Sequence, residues 1–520
     1  MKFQINTRKI LSGITDYPFL GITITGGLIA QIIATFQVYY ENLWIIEQIQ
    51  IVKANGYIAV PNSLIIPYLK AIQTAFCGGL FFSTTIGLGI TVLCYLLGRF
   101  WICQTKRNKY VLGCIFMQWI YALYQSNVKG WSSFSCYLII LAPVVFYLSV
   151  LIPDKKTVNV KKIILFWLSP IIIMLTIIYG MDRTISFISI RDYLLLSNRL
   201  GNICNDFYYR YTLYPSEMIK PFSLKQQKTC CIIAQDLETD QPLIKQRIQA
   251  VQQKCIENDY LVISDHTKAD LMLVINKHHL LFQVHGDIKI KASIQTFLRK
   301  STSLFDKFSM LTDVNEFFRS CIFLSLLFAS PLVVYIFFMK TLSGLCQMIN
   351  IQSELSDFLV ISVACTILIS VLITFPSTNK NDMVSNSWDQ LFQKACSQNN
   401  WKQAVELLKI KKMKKNCQLV SKYLKQTDHP VLKYWMIRYL SKCHDPTLRS
   451  LFYKLLNDSQ VNVVCQSLYA LGRQRDRNSI QKILELIKSS NHWYIQMYAY
   501  RALKRAGWHN NAKKDISFTQ

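Results

Sequence analysis

The stretch "DSQVNVVCQSLYALGRQRDRNSIQKILELIKSSNHWYIQMYAYRALKRAGW" runs from Asp458 to Trp508 and decides the fold, because it repeats itself. At an offset of 32 residues, Leu448 falls on Ile480, Leu451 on Ile483 and Leu455 on Ile487. The same offset puts Leu468 on Tyr500, Ala470 on Ala502 and Leu471 on Leu503, while an offset of 31 brings Ile437 and Leu440 onto Leu468 and Leu471. Each unit carries two apolar stripes at three- and four-residue spacing, the pattern of a pair of amphipathic helices. A helix pair at a fixed period predicts an α-solenoid, in which each unit buries its apolar face only against its neighbours.

The stretch resembles the short HEAT-like repeats of the phycobilisome-lyase type. In that pattern an Asp opens the second helix, a small residue and Leu close it with Gly, and an Asp begins the next unit. Asp458, Ala470, Leu471, Gly472 and Asp476 occupy those places, whereas Ser441 stands where the earlier unit should have its Gly. The resemblance covers between a fifth and a quarter of the chain. It implies a binding scaffold and carries no catalysis, since one fold hosts many functions.

Outside the repeats the chain is too apolar for an ordinary soluble protein: 51% of its 520 residues are hydrophobic, and the mean hydropathy is +0.22. Seven apolar runs approach the length needed to cross hydrocarbon as a helix: Phe19–Tyr40, Ala71–Phe100, Tyr110–Tyr124, Phe134–Ile152, Ile163–Gly180, Cys321–Met339 and Phe358–Phe375. Tyr110–Tyr124 is the weakest of them, and six or eight spans fit almost as well. Asn42–Lys70 reads as a mixed loop broken by Pro61 and Pro67. The domains expected are therefore an N-terminal membrane part over 1–180, a soluble insert over 181–318, a two-helix membrane hairpin over 319–376 and the repeat domain over 385–520. The fold class is mainly α: a multi-pass membrane domain, a small inserted α+β domain and a C-terminal α-solenoid.

Within the insert, Asp240–Asn258 predicts a helix. Tyr260–Ser264, Asp270–Ile275, Leu280–Val284 and Ile288–Ile290 predict short strands. Trp388–Ser397 and Trp401–Leu408 look like a degenerate first pair of the array, beyond a polar linker at 379–386. The basic short loops at 1–11, 99–109 and 153–162 belong in the cytoplasm under the positive-inside rule, which sends both soluble parts outside. The loop Thr341–Asp357, free of Lys and Arg, argues the reverse, and a cytoplasmic repeat domain is the reading adopted. A lack of export and organelle signals suits a bacterial inner membrane.

The net charge of +28 is uneven, for residues 376–520 hold 25 Lys/Arg against 9 Asp/Glu. Candidate partner contacts are Arg473, Arg475, Arg477, Arg501, Lys504 and Arg505. "KIKKMKKN" supplies Lys409, Lys411, Lys412, Lys414 and Lys415 as candidate contacts to anionic lipid headgroups. No phosphate-binding loop, dinucleotide fingerprint, zincin motif or nucleophile elbow occurs. The sixteen cysteines lack zinc-ligand spacing and read as reduced thiols. His266, His278, His279 and His285 cluster in the insert, but their spacing favours surface positions on strands over a metal site. The spans contain almost no charge, with Gln31, Gln37 and Gln118 as polar exceptions, which disfavours an ion-coupled transporter. The aromatic run Asn205–Pro215 reads as packing against the membrane part or as a partner-binding patch. No catalytic residue, metal or cofactor is expected. The partners expected are the lipid bilayer and a protein bound through the repeats, with nucleic acid disfavoured. The function that follows is an integral membrane scaffold or accessory protein. The alternative is a component of a membrane transport complex, or a membrane enzyme with its site in the spans or insert.

Overall fold

A computed structural model of the chain describes residues 18–151, 191–235, 242–330, 388–410 and 416–510 apart from isolated positions, with scattered positions of 332–348. The chain forms two compact units. The first draws its described residues from within 1–40, 72–189 and 314–377; the second draws on 41–71, 190–313 and 378–520.

The first unit is helical. It contains the start of α1 (Pro18–Ala54), α2 (Ile72–Phe82) joined through a π turn to α3 (Leu88–Cys103), α4 (Lys109–Asn127) and α5 (Ala142–Leu151). Among the described residues, three helical stretches are long and apolar enough to cross a membrane: Phe19–Ala54, Ile72–Ile102 and Phe134–Leu151. Sequence led to seven. Of the remainder, Tyr110–Tyr124 lies in α4 and falls short in apolarity, while Ile163–Gly180 and Phe358–Phe375 lie outside the described residues, as does part of Cys321–Met339.

Polar exceptions in these helices tie them to one another. The Gln31 amide donates to the Phe76 carbonyl at 2.8 Å and accepts from the Ser83 hydroxyl at 2.6 Å, while Gln37 accepts from the Tyr137 hydroxyl at 2.8 Å. Such bonds between helices, together with small residues at crossings, hold apolar bundles together. Phe318 completes the packing, with ring centroids 5.6 Å from Phe82 and 5.1 Å from Phe134. Ile24, Leu28, Ile32, Phe36 and Tyr40, four residues apart along α1, are all at least half exposed.

In the second unit α1 continues to Ala54, where the sequence predicted a loop from Asn42 onward. Ile45, Ile49 and Val52 keep helical spacing on a buried face, and buried Asn42, the first residue of that expected loop, donates to the Leu69 carbonyl at 3.2 Å. The sheet has the order β2-β1-β3-β4-β5. β1 (Lys228–Ala234) lies parallel to β2 (Tyr260–Val262) and β3 (Leu271–Ile275), and β4 (His279–Val284) and β5 (Asp287–Ser293) extend it antiparallel. Strand β1 was missed, because "KTCCIIA" shows no alternation when its central residues are enclosed. Between β1 and β2 runs α7 (Pro242–Glu257), which follows α6 (Arg199–Phe207) in the chain; α8 (Ile294–Leu311) closes the domain. Phe282, Phe297, Phe305 and Phe308 gather with Tyr260 in its core, where Tyr260 stacks on Phe305 at 4.3 Å.

The array follows as helix pairs: α9 (Trp388–Ser397) with α10 (Trp401–Lys409), α11 (Cys417–Leu424) with α12 (Pro430–Leu440), α13 (Leu448–Leu455) with α14 (Val461–Gln474), and α15 (Arg477–Ser489) with α16 (Trp493–Arg505). Second helices pack in series, α10 on α12, α12 on α14 and α14 on α16. The residues matched by the sequence offset fill the same buried positions: Ile437, Leu440, Leu468, Leu471, Tyr500 and Leu503. α14 and α16 pack closely at Gly472, where a Cβ would lie 2.8 Å from the Ala502 backbone. Cys417 is bonded to Cys443, just past α12, with 6.6 Å between their Cα atoms, a separation that suits a bridge. This corrects the expectation of reduced thiols for that pair; the other described cysteines are free.

Candidate functional site

α12, α14 and α16 contain no Asp or Glu. Their basic residues are Lys433, Arg438, Arg473, Arg501, Lys504 and Arg505. Both lysines are neutralised from other elements: Lys433 by Asp458 at 3.0 Å and Asp428 at 3.6 Å, and Lys504 by Asp259 at 2.8 Å. The four arginines are exposed and take aromatic neighbours instead. Arg438 lies 5.2 Å over the Trp435 ring and donates to the Tyr434 hydroxyl at 3.2 Å. Arg505 lies 4.4 Å over the Tyr469 ring, whose hydroxyl accepts from Arg473 at 3.4 Å, and Arg501 lies 5.7 Å over Tyr498. Arg473, through its hydrogen bond first and then its charge, with Arg505 and Arg438 adding theirs, holds the Tyr469 phenol below its ordinary pKa.

The repeat period organises this face into two rows one helical turn apart. Arg438, Tyr469 and Arg501 form one row, and Lys442, Arg473 and Arg505 form the other. Sequence reasoning found Arg473, Arg501 and Arg505 but missed Arg438, Lys442 and Tyr469, although the offsets of 31 and 32 already aligned them. Arg475 is exposed at the left-handed residue that ends α14, with φ of 50°. The side chain of Arg477 lies outside the described residues. Lys409 is 2.9 Å from Glu406 and 3.7 Å from Asp192; Lys411, Lys412, Lys414 and Lys415 lie outside the described residues.

Other elements of the second unit cover the last pair. The aromatic run packs on the array: Tyr209 stacks on Tyr494 at 4.0 Å and Tyr214 on Trp493 at 5.3 Å. Asp192, fully buried, is held by Arg191 at 2.6 Å and by the Trp435 indole N–H at 2.7 Å. His279 is exposed on β4, and His278 and His285 lie outside the described residues. Among the described residues, no group of three His, Cys, Asp or Glu side chains is placed to hold a metal.

Comparison with curated proteins and with solved structures finds no match. A family model does match residues 418–504, and its description is HEAT repeats. Those residues contain every arginine of the exposed rows except Arg505, which follows directly. The array that builds the face is, over residues 418–504, a set of HEAT repeats.

Proposed function

We propose that the chain is a multi-pass integral membrane scaffold or accessory protein whose HEAT repeats dock a protein partner. The observation that carries this reading is the exposed arginine face, built on the second helices of three successive pairs, which supply no carboxylate of their own. HEAT repeats generally serve protein interaction, and regularly stacked helices offer an extended surface for it. The three apolar helices and the exposed apolar stripe of α1 support a membrane location, since such a stripe suits hydrocarbon better than water.

Docking is tested by placing a photo-crosslinking residue at position 469 of the full chain, with position 485 on α15 as the control. A discrete polypeptide adduct forms at 469, is absent at 485, and is lost when Arg473 and Arg505 are replaced by alanine. Equal adducts at both positions, or lipid adducts alone, would end the docking reading.

Sidedness turns on the bonded cysteines. The lysine- and arginine-free loop at 341–357 favours a cytoplasmic array, whereas a persistent Cys417–Cys443 bond belongs to an oxidising compartment. Weight goes to the bond, because long domains translocate regardless of their charge. Alkylation of the denatured full chain, without reductant, is expected to label two fewer cysteines than after reduction. Cys417→Ser should abolish the difference. Full labelling without reductant would return the array to the cytoplasm.

A further inference from the structure

The arginine face is selective in what it can hold. Each guanidinium on it is already laid against a ring or bonded to a phenol, which fixes its plane while leaving N–H donors to reach outward. Planar, pre-oriented guanidinium groups suit bidentate carboxylates, and a flexible ammonium does not. The lysines of these helices are consumed internally, whereas the four arginines pair with no carboxylate among the described residues. No large hydrophobic side chain among the described residues of the array is exposed. A helix seeking an apolar groove, or a lipid surface into which side chains insert, therefore finds no purchase here. The aromatic rings are buried or half-buried with the arginines over them, which disfavours the stacked bases that single-stranded nucleic acid would bring.

Spacing narrows the ligand further. Packed helices lie about 8–10 Å apart, so Arg473 and Arg505 stand one such step apart, and Lys442, in the turn just past α12, extends the row. A peptide in the extended polyproline II conformation advances about 3.1 Å per residue with three residues per turn, so every third side chain returns to the same side at about the spacing of the next repeat. We propose that this face binds an extended acidic segment of a protein partner, with carboxylates at every third residue read by Arg473 and Arg505, flanked by Arg438 and Arg501, and with Lys442 adding its charge at one end. The inference rests on the docking reading and names the chemistry of its partner.

The probe is a fluorescent fifteen-residue peptide with Glu at every third position and Gly or Ser elsewhere. Its anisotropy is titrated with the full chain in detergent at moderate salt. Binding is expected to be at least tenfold tighter than for the same composition with its glutamates in one block, and tenfold tighter than for the Gln version. R473E/R505E should lose tenfold or more, and R438A/R501A should lose less, with thermal unfolding unchanged in both because these side chains are exposed. Equal binding of the spaced and blocked peptides would overturn the inference. So would tighter binding of a single-stranded oligonucleotide or of phosphatidylglycerol vesicles. If the peptide fails while the adduct at position 469 still forms, docking stands and the acidic ligand falls.

Discussion

Replacing Asp192 with alanine is expected to cost the second unit about 3–5 kcal/mol, the usual penalty for removing one partner of a buried ion pair. The carboxylate is fully buried. Arg191 bonds one oxygen at 2.6 Å, while the other accepts from Trp435 at 2.7 Å with Lys409 at 3.7 Å. Without it, the mostly buried Arg191 loses its carboxylate, Lys409 is left with Glu406 alone, and the indole N–H loses its acceptor. Arg191 also lies 4.2 Å over Tyr434, so the damage falls on the repeat that carries Arg438. Thermal unfolding of the full chain, followed by tryptophan fluorescence, checks this. Asp192→Ala together with Arg191→Ala should recover part of the loss, and a loss below about 1 kcal/mol for the single variant would contradict the penalty of an unpaired buried charge.

Acid should weaken the array through His492. This side chain is only 4% exposed, neither ring nitrogen has a hydrogen-bond partner, and Asp206 stands 3.8 Å away. Burial, chiefly, and the charge of Arg210 push its pKa down to about 4, against the opposing pull of Asp206. A histidine whose folded pKa is depressed is neutral in the folded state while the unfolded chain takes up the proton. Its contribution is therefore complete above the unfolded value near 6.5 and drains away as pH falls toward 4. At about 1.4 kcal/mol per pKa unit, the full loss is about 3 kcal/mol. His492→Phe should remove that part of the pH dependence. Wild type would then lose about 3 kcal/mol more than the variant between pH 7 and pH 4, measured by denaturant midpoints; parallel curves would refute the assignment.

The array was legible in the sequence because its energetics are local: each unit buries the same positions against the next, so a period survives in the chain. The helix at Asp240–Asn258 and four strands were legible for the same reason, as periodicity and turn residues mark them directly. What escaped depended on distant partners. The stretch from Asn42 read as a loop because Pro61 and Pro67 stand out in the sequence, while the bond from Asn42 to Leu69 does not. Cys417 and Cys443 showed no framework, since a bridge is fixed by geometry that spacing along the chain does not record. Asp192 was silent because Lys409 and Trp435 come more than 200 residues later. On the candidate face, charge alone selected Arg473, Arg501 and Arg505, but it also selected Lys504, and only the coordinates show that Asp259 already holds it.

Asn62 has a consequence for anyone who would excise the repeats. Its side-chain amide donates to the carbonyl of Ile487 at 2.5 Å and those of Lys488 and Ser490 at 3.3 Å, and its backbone N–H donates to Gln496 at 2.8 Å. Ile58 reaches Asn510 from the same segment. The array thus borrows its terminal lid from residues more than 400 positions upstream. A fragment cut at 385 would leave bare carbonyls at one end, and its stickiness in a binding assay would report the missing lid rather than a physiological ligand.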